Sequence, residues 1–340
     1  MGESDTRCFV GLDVGGTSVK SILVDTSGNL LGDMVEVPSR VKEGYEATFA
    51  QLEEALLLLT DRAGRRQSDI AGIGLDVPAP SSNGVIRVQA NLGADWVGTN
   101  IRDEFSARAG VPVYMTNDGN AAAAGEYAAR PDCDTGLLLV APGTGLGGGL
   151  VLPGGQIYEG ANGLALEVGH ASVPFREVDG ALPACSCGLT GCTEAWVSLM
   201  ALRRRLEIEL ARDKWKDHAL NASDASIEEK AYQLRDYAEN DDPLAVSLFK
   251  EQAFILGYAI ANWVRLFDPG LVVIGGGLSE ASFRDRYMTW VIEGFEDGSW
   301  PIYLENPFDA QAVSTQFEWA RGGDSAAALG MAFVASEVFG

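Results

Sequence analysis

Lysine is nearly missing from this chain: six residues among 340, with 19 arginines supplying the rest of the basic charge. Against those 25 basic residues stand 48 acidic ones, a net charge of −23. A chain so acidic lacks the basic patches that neutralise phosphate backbones, which argues against a nucleic-acid surface and against an anionic membrane. Acid excess with scarce lysine suits a salt-rich cytoplasm, and equally an ordinary acidic bacterial protein. Long hydrophobic runs are also missing. No stretch reads as the roughly 18 apolar residues of a membrane helix, and Leu56–Leu59 is only part of an amphipathic one. Met1–Arg7 is short and polar, and the apolar run from Cys8 is broken by Asp13 and glycines, so no signal peptide is expected. Asn221-Ala-Ser is then a glycosylation triplet without a secretory route. A cytoplasmic setting is expected, in which thiols stay reduced. Histidine is rarer still, at two, and cysteine stands at five.

Those few thiols are not scattered. Cys185, Cys187 and Cys192 lie within eight residues, in C-S-C-G-L-T-G-C-T-E ending at Glu194, and His170 of E-V-G-H lies just upstream. Thiolates and a neutral imidazole are the usual ligands of tetrahedral zinc. Gly188 and Gly191 let the backbone fold so that three sulfurs converge. His170, Cys185, Cys187 and Cys192 would leave no open coordination position, so the zinc would be structural and would fix the loops that carry Glu167 and Glu194. A Cys185–Cys192 disulfide and plain buried thiols are the other readings.

At 340 residues the chain is long enough for two cores. Cys8–Val14, Ser18–Val24 and Leu30–Val37 read as three strands joined by short turns. Tyr45–Ala63 has helical spacing, with Phe49, Leu52, Leu56 and Leu59 on one side. Strands are expected at Ile70–Leu75 and Val111–Met115, and helices at Asn100–Ala109 and Asn117–Ala129. Leu137–Ala141 and Gly147–Leu152 form a second strand, glycine turn, strand unit, which reads as a weak internal duplication of the first. Helices at Glu194–Leu210, Leu244–Phe267 and Ser325–Phe339 and a strand at Leu271–Ile274 complete the reading; the polar stretch Ala211–Ile227 carries no assigned role. Hinges are expected at Thr116–Asp118 and Gly322–Asp324.

Four glycine motifs follow strands: Gly15-Gly16-Thr17, Gly143-Thr144-Gly145, Gly160–Gly163 and Gly275-Gly276-Gly277. Backbone N–H groups in such turns form anion nests that a missing Cβ lets phosphate approach. Neither a Walker A run nor a dinucleotide fingerprint opening a helix is present, so hairpin-type phosphate loops are indicated. Asp13, at a strand end before the first turn, can hold a Mg²⁺-bound water. Asp118 follows a strand and opens a helix; it can take a proton from a hydroxyl, or simply cap the helix. Glu194 could likewise cap the helix it opens.

Taken in order, the motifs resemble the ROK family, the sugar kinases and repressors of the actin-like ATPase superfamily. The matching pieces are Leu12–Thr17, Asn117–Ala122, Gly143–Gly149, Glu167-x-Gly169-His170, Cys185–Glu194 and Asp268–Gly277. The resemblance implies an α/β, two-lobed fold with a ribonuclease-H-like core in each lobe and a structural zinc knuckle. Residues 1–117 would form the smaller lobe, rejoined by the C-terminal helix 325–340, and 118–324 the larger. It implies ATP in the cleft and a sugar beneath it. Asp118 would be the general base, and Asn91, Asn117, Glu167, His170 and Glu194 would hold sugar hydroxyls. Gly15, Gly16, Thr17, Gly143, Thr144 and Gly145 would cradle phosphates, Gly275, Gly276 and Gly277 would line the adenosine side, and Asp13 would orient Mg²⁺. The expected activity is that of an ATP-dependent glucokinase. Kinases of fructose, mannose, allose, N-acetylmannosamine or N-acetylglucosamine, and a non-catalytic sugar sensor, are the alternatives. The family's repressors carry a helix-turn-helix ahead of this motif; only twelve residues precede Asp13, so none is expected here. Homo-oligomers, dimers or tetramers, are common in the family. Two departures stand out: Ser18 replaces a common Lys, and the segment Gly93–Trp96 is slightly long.

Overall fold

A computed structural model describes residues 6–89, 92–305 and 314–340. In chain order the strands and α-helices are β1 (Cys8–Val14), β2 (Ser18–Asp25), β3 (Val35–Pro38), α1 (Tyr45–Arg62), β4 (Ile70–Val77), β5 (Ser81–Ser82), β6 (Val85–Ile86), α2 (Ile101–Ala109), β7 (Val113–Asn117) and α3 (Asp118–Ala128). Then follow β8 (Leu137–Pro142), β9 (Leu146–Val151), α4 (Glu194–Val197), α5 (Leu199–Leu210), α6 (Ala219–Ala222), α7 (Ile227–Glu239), α8 (Pro243–Phe267), β10 (Leu271–Ile274), α9 (Arg284–Gly298), β11 (Gln316–Trp319) and α10 (Ala326–Phe339).

The chain forms two compact units. The first comprises 1–139, 149–166 and 320–340; the second comprises 140–148 and 167–319. The division therefore falls elsewhere than at 117/118. Residues 118–139 stay with the first unit because α3 packs on α10 through small residues. A Cβ on Gly125 would lie 1.9 Å from the Ala326 carbonyl oxygen, and one on Gly330 would lie 2.2 Å from that of Ala121. Neither expected hinge, at 116–118 or 322–324, is where the chain passes from one unit to the other.

The first unit is built on a five-stranded sheet in the order β3-β2-β1-β4-β7. β1 pairs antiparallel with β2 and parallel with β4, and β4 pairs parallel with β7. Val10, Leu12, Val14, Ile73, Leu75 and Val77 point into a core with α1 and α2 residues such as Phe49, Leu52 and Phe105. The alternate residues face α10. Phe9 packs on Ala328, Ala332 and Ala335, while a Cβ on Gly11 or Gly74 would fall 1.8 Å from the Ala328 oxygen or 2.1 Å from the Met331 oxygen. The helix backbone thus rests directly on the sheet. The third strand is shorter than its hydrophobic pattern suggests, because Gly32 turns with φ 133° and leaves Leu30 only an isolated bridge to Val24.

The other large sheet runs β11-β10-β8-β9, a hairpin followed by two further strands, as in β2-β1-β4-β7. β10 and β11 are parallel. In the second unit the expected Glu194–Leu210 helix is broken at Ser198, whose side chain caps α5 by accepting the Ala201 N–H at 3.1 Å. α8 is long and apolar enough by length and composition to cross a membrane, contrary to the reading of the bare sequence, but 67% of its most apolar window is buried within the fold. That burial marks it as a core helix. The helices α7 and α9 and strand β11 were not legible as such in the hydrophobic pattern.

Candidate active site

In the first unit the site begins where β1 ends. Asp13 is half-buried, and the turn after it closes with the Gly15 N–H donating to the Ser18 carbonyl at 2.9 Å. Ser18 thereby opens β2, so a lysine is not needed to close the turn. The segment Gly93–Trp96 folds as a short turn with the Trp96 ring buried and its Nε1–H donating to the Val41 carbonyl at 3.1 Å. Asn91 lies outside the described residues.

Asn117, not Asp118, caps α3: its Oδ1 accepts the Asn120 N–H at 2.8 Å. Asp118 is the first helical residue, and its Oδ1 takes the adjacent Gly119 N–H at 2.9 Å. The side chain stays exposed. Desolvation pushes its carboxyl above the usual range, against the lowering effect of that N–H. Although the carboxylate reaches solvent, the protein around it still removes part of its hydration; the direction follows from that. Capping is thus delegated to a neighbour, and Asp118 is left able to accept a proton.

The sequence motifs contain no mention of Asp76, yet it belongs here. On β4 it stands directly opposite Asp13 in the parallel pairing. It has no exposed surface, no amide, hydroxyl or cationic donor reaches its oxygens, and the hydrogen bond it makes is carboxyl to carboxyl with Asp13. Burial first, then the charges of Asp13 and Asp118, push it well above the usual range. The signal was an acid inside an apolar strand, G-I-G-L-D-V. Burial likewise raises Asp13, opposed by Asp76 and by Lys20.

The second unit holds the cysteine cluster. Gly188 and Gly191 take φ of 90° and 75°, the left-handed region glycine permits. The knuckle closes with the Cys185 N–H on the Leu189 carbonyl and the Gly188 N–H on the Cys185 carbonyl, at 2.8 and 3.1 Å. His170 Nδ1 stands 3.7 Å from Cys185 Sγ, and the Cys187 and Cys192 sulfurs stand 3.7 Å apart. One ligand atom from each of the four residues lies within 4.8 Å of all the others. Tetrahedral zinc with Zn–S of about 2.3 Å requires S···S of about 3.8 Å. The donor set fits that ion. All five cysteines are free thiols, so the disulfide reading is not realised. The thiols are unevenly placed: the exposed Cys187 is lowered, chiefly by the Leu189 N–H, while burial and its sister thiols push Cys192 up to about 12.

Glu194 joins this cluster to the second glycine turn. Rather than capping the helix it opens, its Oε2 accepts the Leu146 N–H at 3.0 Å, and its Oε1 accepts the Ser186 hydroxyl at 3.0 Å. A Cβ on Gly145 would come within 2.5 Å of that Oε2, so glycine is required there. Gly169, between Glu167 and His170, is pressed similarly against the Leu146 carbonyl. A cavity of about 550 Å³ opens beside these groups, lined by Thr144, Gly145, Cys185, Ser186, Glu194 and Arg204.

A second cavity of about 230 Å³ adjoins the other side of the turn. Gly143, Thr144, Tyr232, Arg235, Gly277 and Leu278 line it. Gly276, at φ 76°, packs against the Pro142 carbonyl, where a Cβ would intrude to 2.1 Å, and the Gly275 N–H donates to the Val140 carbonyl at 2.9 Å. Tyr232 and Arg235 were not foreseen. They come from α7, whose start was readable as a capping box, Ser226-x-x-Glu229, with the Glu229 N–H on the Ser226 hydroxyl at 3.2 Å.

Over residues 9–338 the chain matches the model of the ROK family. It is 34% identical over 286 residues to a glucokinase of Halalkalibacterium halodurans, covering 81% of this chain and 82% of that one. A putative xylose repressor of Caldicellulosiruptor is 30% identical over 282 residues, 81% of this chain and 66% of the relative. Among solved structures, the ROK hexokinase of Thermus thermophilus superposes with a TM-score of 0.77 at 31% identity, over 98% of this chain and 99% of that one. A ROK glucokinase of Streptomyces griseus, solved with glucose and AMPPNP, gives a TM-score of 0.69 at 26% identity over 97% and 99%. The fold is the actin-like α/β architecture of these kinases, and the chain belongs to the ROK family.

Proposed function

We propose that the protein is an ATP-dependent hexose kinase, with glucose as the preferred acceptor and Asp118 as general base. One observation carries the reading. Gly16 and Gly143 have neither a positive φ nor any atom within 4 Å of where a Cβ would stand. Nothing in the protein itself demands glycine at either position. A turn whose backbone is left open for a ligand to approach does demand it, and phosphate is the ligand such turns serve, the Gly143 N–H itself being given to the Gly145 carbonyl at 2.9 Å. The glucokinase relatives and the AMPPNP-bound neighbour support the same chemistry.

The remaining roles follow from the residues. Gly15, Gly16 and Thr17, and in the second unit Gly143, Thr144 and Gly145, would bind phosphate oxygens. The cavity beside Gly275, Gly276 and Gly277 would take the nucleoside, with Arg235 and Tyr232 at its wall. Asp118 would accept the proton of the attacking sugar hydroxyl. Its raised basicity suits that task, since a general base works best with a pKa nearer the operating pH. Asn117, through the amide nitrogen its cap leaves over, and Glu167, His170 and Glu194 would hold sugar hydroxyls. Asp13 would hold a Mg²⁺-bound water, the cation offsetting phosphate charge when bound. His170, Cys185, Cys187 and Cys192 would bind zinc as a crosslink of the knuckle, because four protein ligands leave no position for substrate. A cytoplasmic setting and a homo-oligomer go with this reading.

The test is ADP release across glucose, fructose, mannose, allose and the N-acetylhexosamines, with and without added salt. Turnover with glucose at the highest kcat/KM is expected, with kcat lowered about 10²–10⁴-fold in Asp118→Asn. Sugar binding by calorimetry with no ADP release from any sugar would overturn the kinase reading and favour a sensor, the reading to which the repressor relative lends support.

A further inference from the structure

The turn Gly160–Gly163 is the glycine motif to which phosphoryl transfer gives no role. Its glycines are demanded by the protein itself. Gly160 and Gly163 take φ of 69° and 68°, and a Cβ on Gly163 would stand 2.5 Å from the Ser81 carbonyl oxygen. The turn closes with the Ala165 N–H donating to the Glu159 carbonyl at 3.1 Å. It is thus packed and closed on itself, unlike the open turns at Gly16 and Gly143.

What this turn fixes is Glu159. The chain returns beside β9, with Ile157 bridging Val151 and the Tyr158 N–H donating to the Leu150 carbonyl at 2.8 Å. The half-buried Glu159 carboxylate then receives two hydroxyls from β7. Tyr114 and Thr116 are two residues apart, so they face the same side of that strand. Thr116 donates to Glu159 Oε1 at 2.8 Å, and Tyr114 hydrogen-bonds the same carboxylate. An ionised carboxylate only accepts, so the single Thr116 hydrogen is committed to it. The Thr116 lone pairs are left for Asn120, whose Nδ2 donates to them at 3.0 Å. Asn120 Oδ1 has no partner among the described residues, so the bond to Thr116 is what orients this side chain. Thr116 and Asn120 are both buried, where water does not make good a lost bond. Asn120 lies in the first turn of α3, and its backbone N–H is the one that Asn117 Oδ1 caps. Asp118 lies between the two. All these residues belong to the first unit.

We propose that Glu159 is a positioning residue for phosphoryl transfer: through Thr116 and Asn120 it fixes the first turn of α3 and the direction of the Asp118 carboxylate. The inference deepens the kinase reading and rests on it for its consequence. A general base must stay within hydrogen-bond reach of the proton it takes, and a small displacement of such a group is costly in rate.

The experiment measures amide hydrogen exchange at Asn120 and steady-state kinetics in four variants of the full chain. Glu159→Ala and Thr116→Val should each accelerate exchange at Asn120 about tenfold. Each should lower kcat about 10- to 100-fold and leave KM for ATP within about twofold, the pattern of a lost transition-state interaction. Glu159→Gln keeps an acceptor for Thr116 and should restore both readouts to within about threefold. The double variant Glu159→Ala with Thr116→Val should be no slower than the slower single one, because one relay is broken once. Unchanged Asn120 exchange in both single variants would overturn the relay. Faster exchange with wild-type kcat would overturn the positioning role, and so would losses in kcat that add in the double variant. A wild type that releases no ADP would overturn the role in transfer, while exchange still decides the relay, so the two failures are told apart. Circular dichroism confirms that folded proteins are compared, and Thr116→Val carries the test if Glu159→Ala does not fold.

Discussion

Replacing Glu194 tests how the glycine turn at 143–145 is held in shape. Its carboxylate makes two hydrogen bonds of 3.0 Å, to the Leu146 N–H and to the Ser186 hydroxyl. A hydrogen bond to a charged group contributes about 1.5–3 kcal/mol. Glu194→Ala deletes both, but the Ser186 side is exposed and water replaces much of that bond. The loss is therefore dominated by the half-buried Leu146 amide, roughly 1.5–3 kcal/mol in local opening. Every 1.4 kcal/mol is about tenfold, so hydrogen exchange at that amide should accelerate about 10- to 100-fold. Glu194→Gln keeps an acceptor for Leu146 and gains a donor for Ser186. It loses only the charge assistance, about 1 kcal/mol, or roughly fivefold. Gly145→Ala should reproduce the Ala phenotype with Glu194 intact, since the new methyl would sit 2.5 Å from Oε2 and push it off the amide. Hydrogen exchange by NMR or mass spectrometry over 143–150 reads all three variants. Unchanged exchange at Leu146 in Glu194→Ala would refute the link, and with it the claim that the cysteine knuckle and the turn are one mechanical unit.

Asp118→Asn should lower kcat by about 10²–10⁴ in steady-state assays while the circular dichroism spectrum stays native, the usual size of a general-base loss. The raised Asp118 carboxyl also has a stability sign: folding favours its protonated form, so its contribution is full below the unfolded pKa and is lost as pH rises through the folded one. Urea midpoints at neutral pH should accordingly be equal or higher in Asp118→Asn, and wild-type kcat/KM should rise with pH through an apparent pKa above that of a free aspartate. Cys187→Ser should lose zinc by elemental analysis together with sugar affinity by calorimetry; metal loss with sugar affinity retained would break the coupling. Gly74→Ala should destabilise by about 1–3 kcal/mol or more in urea, because its methyl would meet the Met331 carbonyl oxygen at 2.1 Å and backbone yields little. Arg235→Ala should raise KM for ATP, and an unaltered KM would remove α7 from the nucleotide cavity.

Much of this protein is written in local pattern. The meander β1-β2, the glycine turns and the Asn117-Asp118 helix start follow from residue order, because a glycine turn between two apolar runs and a cap before a helix are settled by a few neighbours. The Cys3His set was legible for the same reason: its spacing brings three sulfurs together whatever surrounds them. What the order of residues left open depended on packing from afar. That Glu194 turns away from its own helix to the Leu146 amide, and that α3 joins the first unit under α10, are outcomes of contacts across 48 and more residues. Asp76 is the sharpest case. In the sequence it is one acid in an apolar strand, and only the parallel register that sets it beside Asp13, with no surface left to solvent, pairs the two carboxyls and favours the protonated form of Asp76.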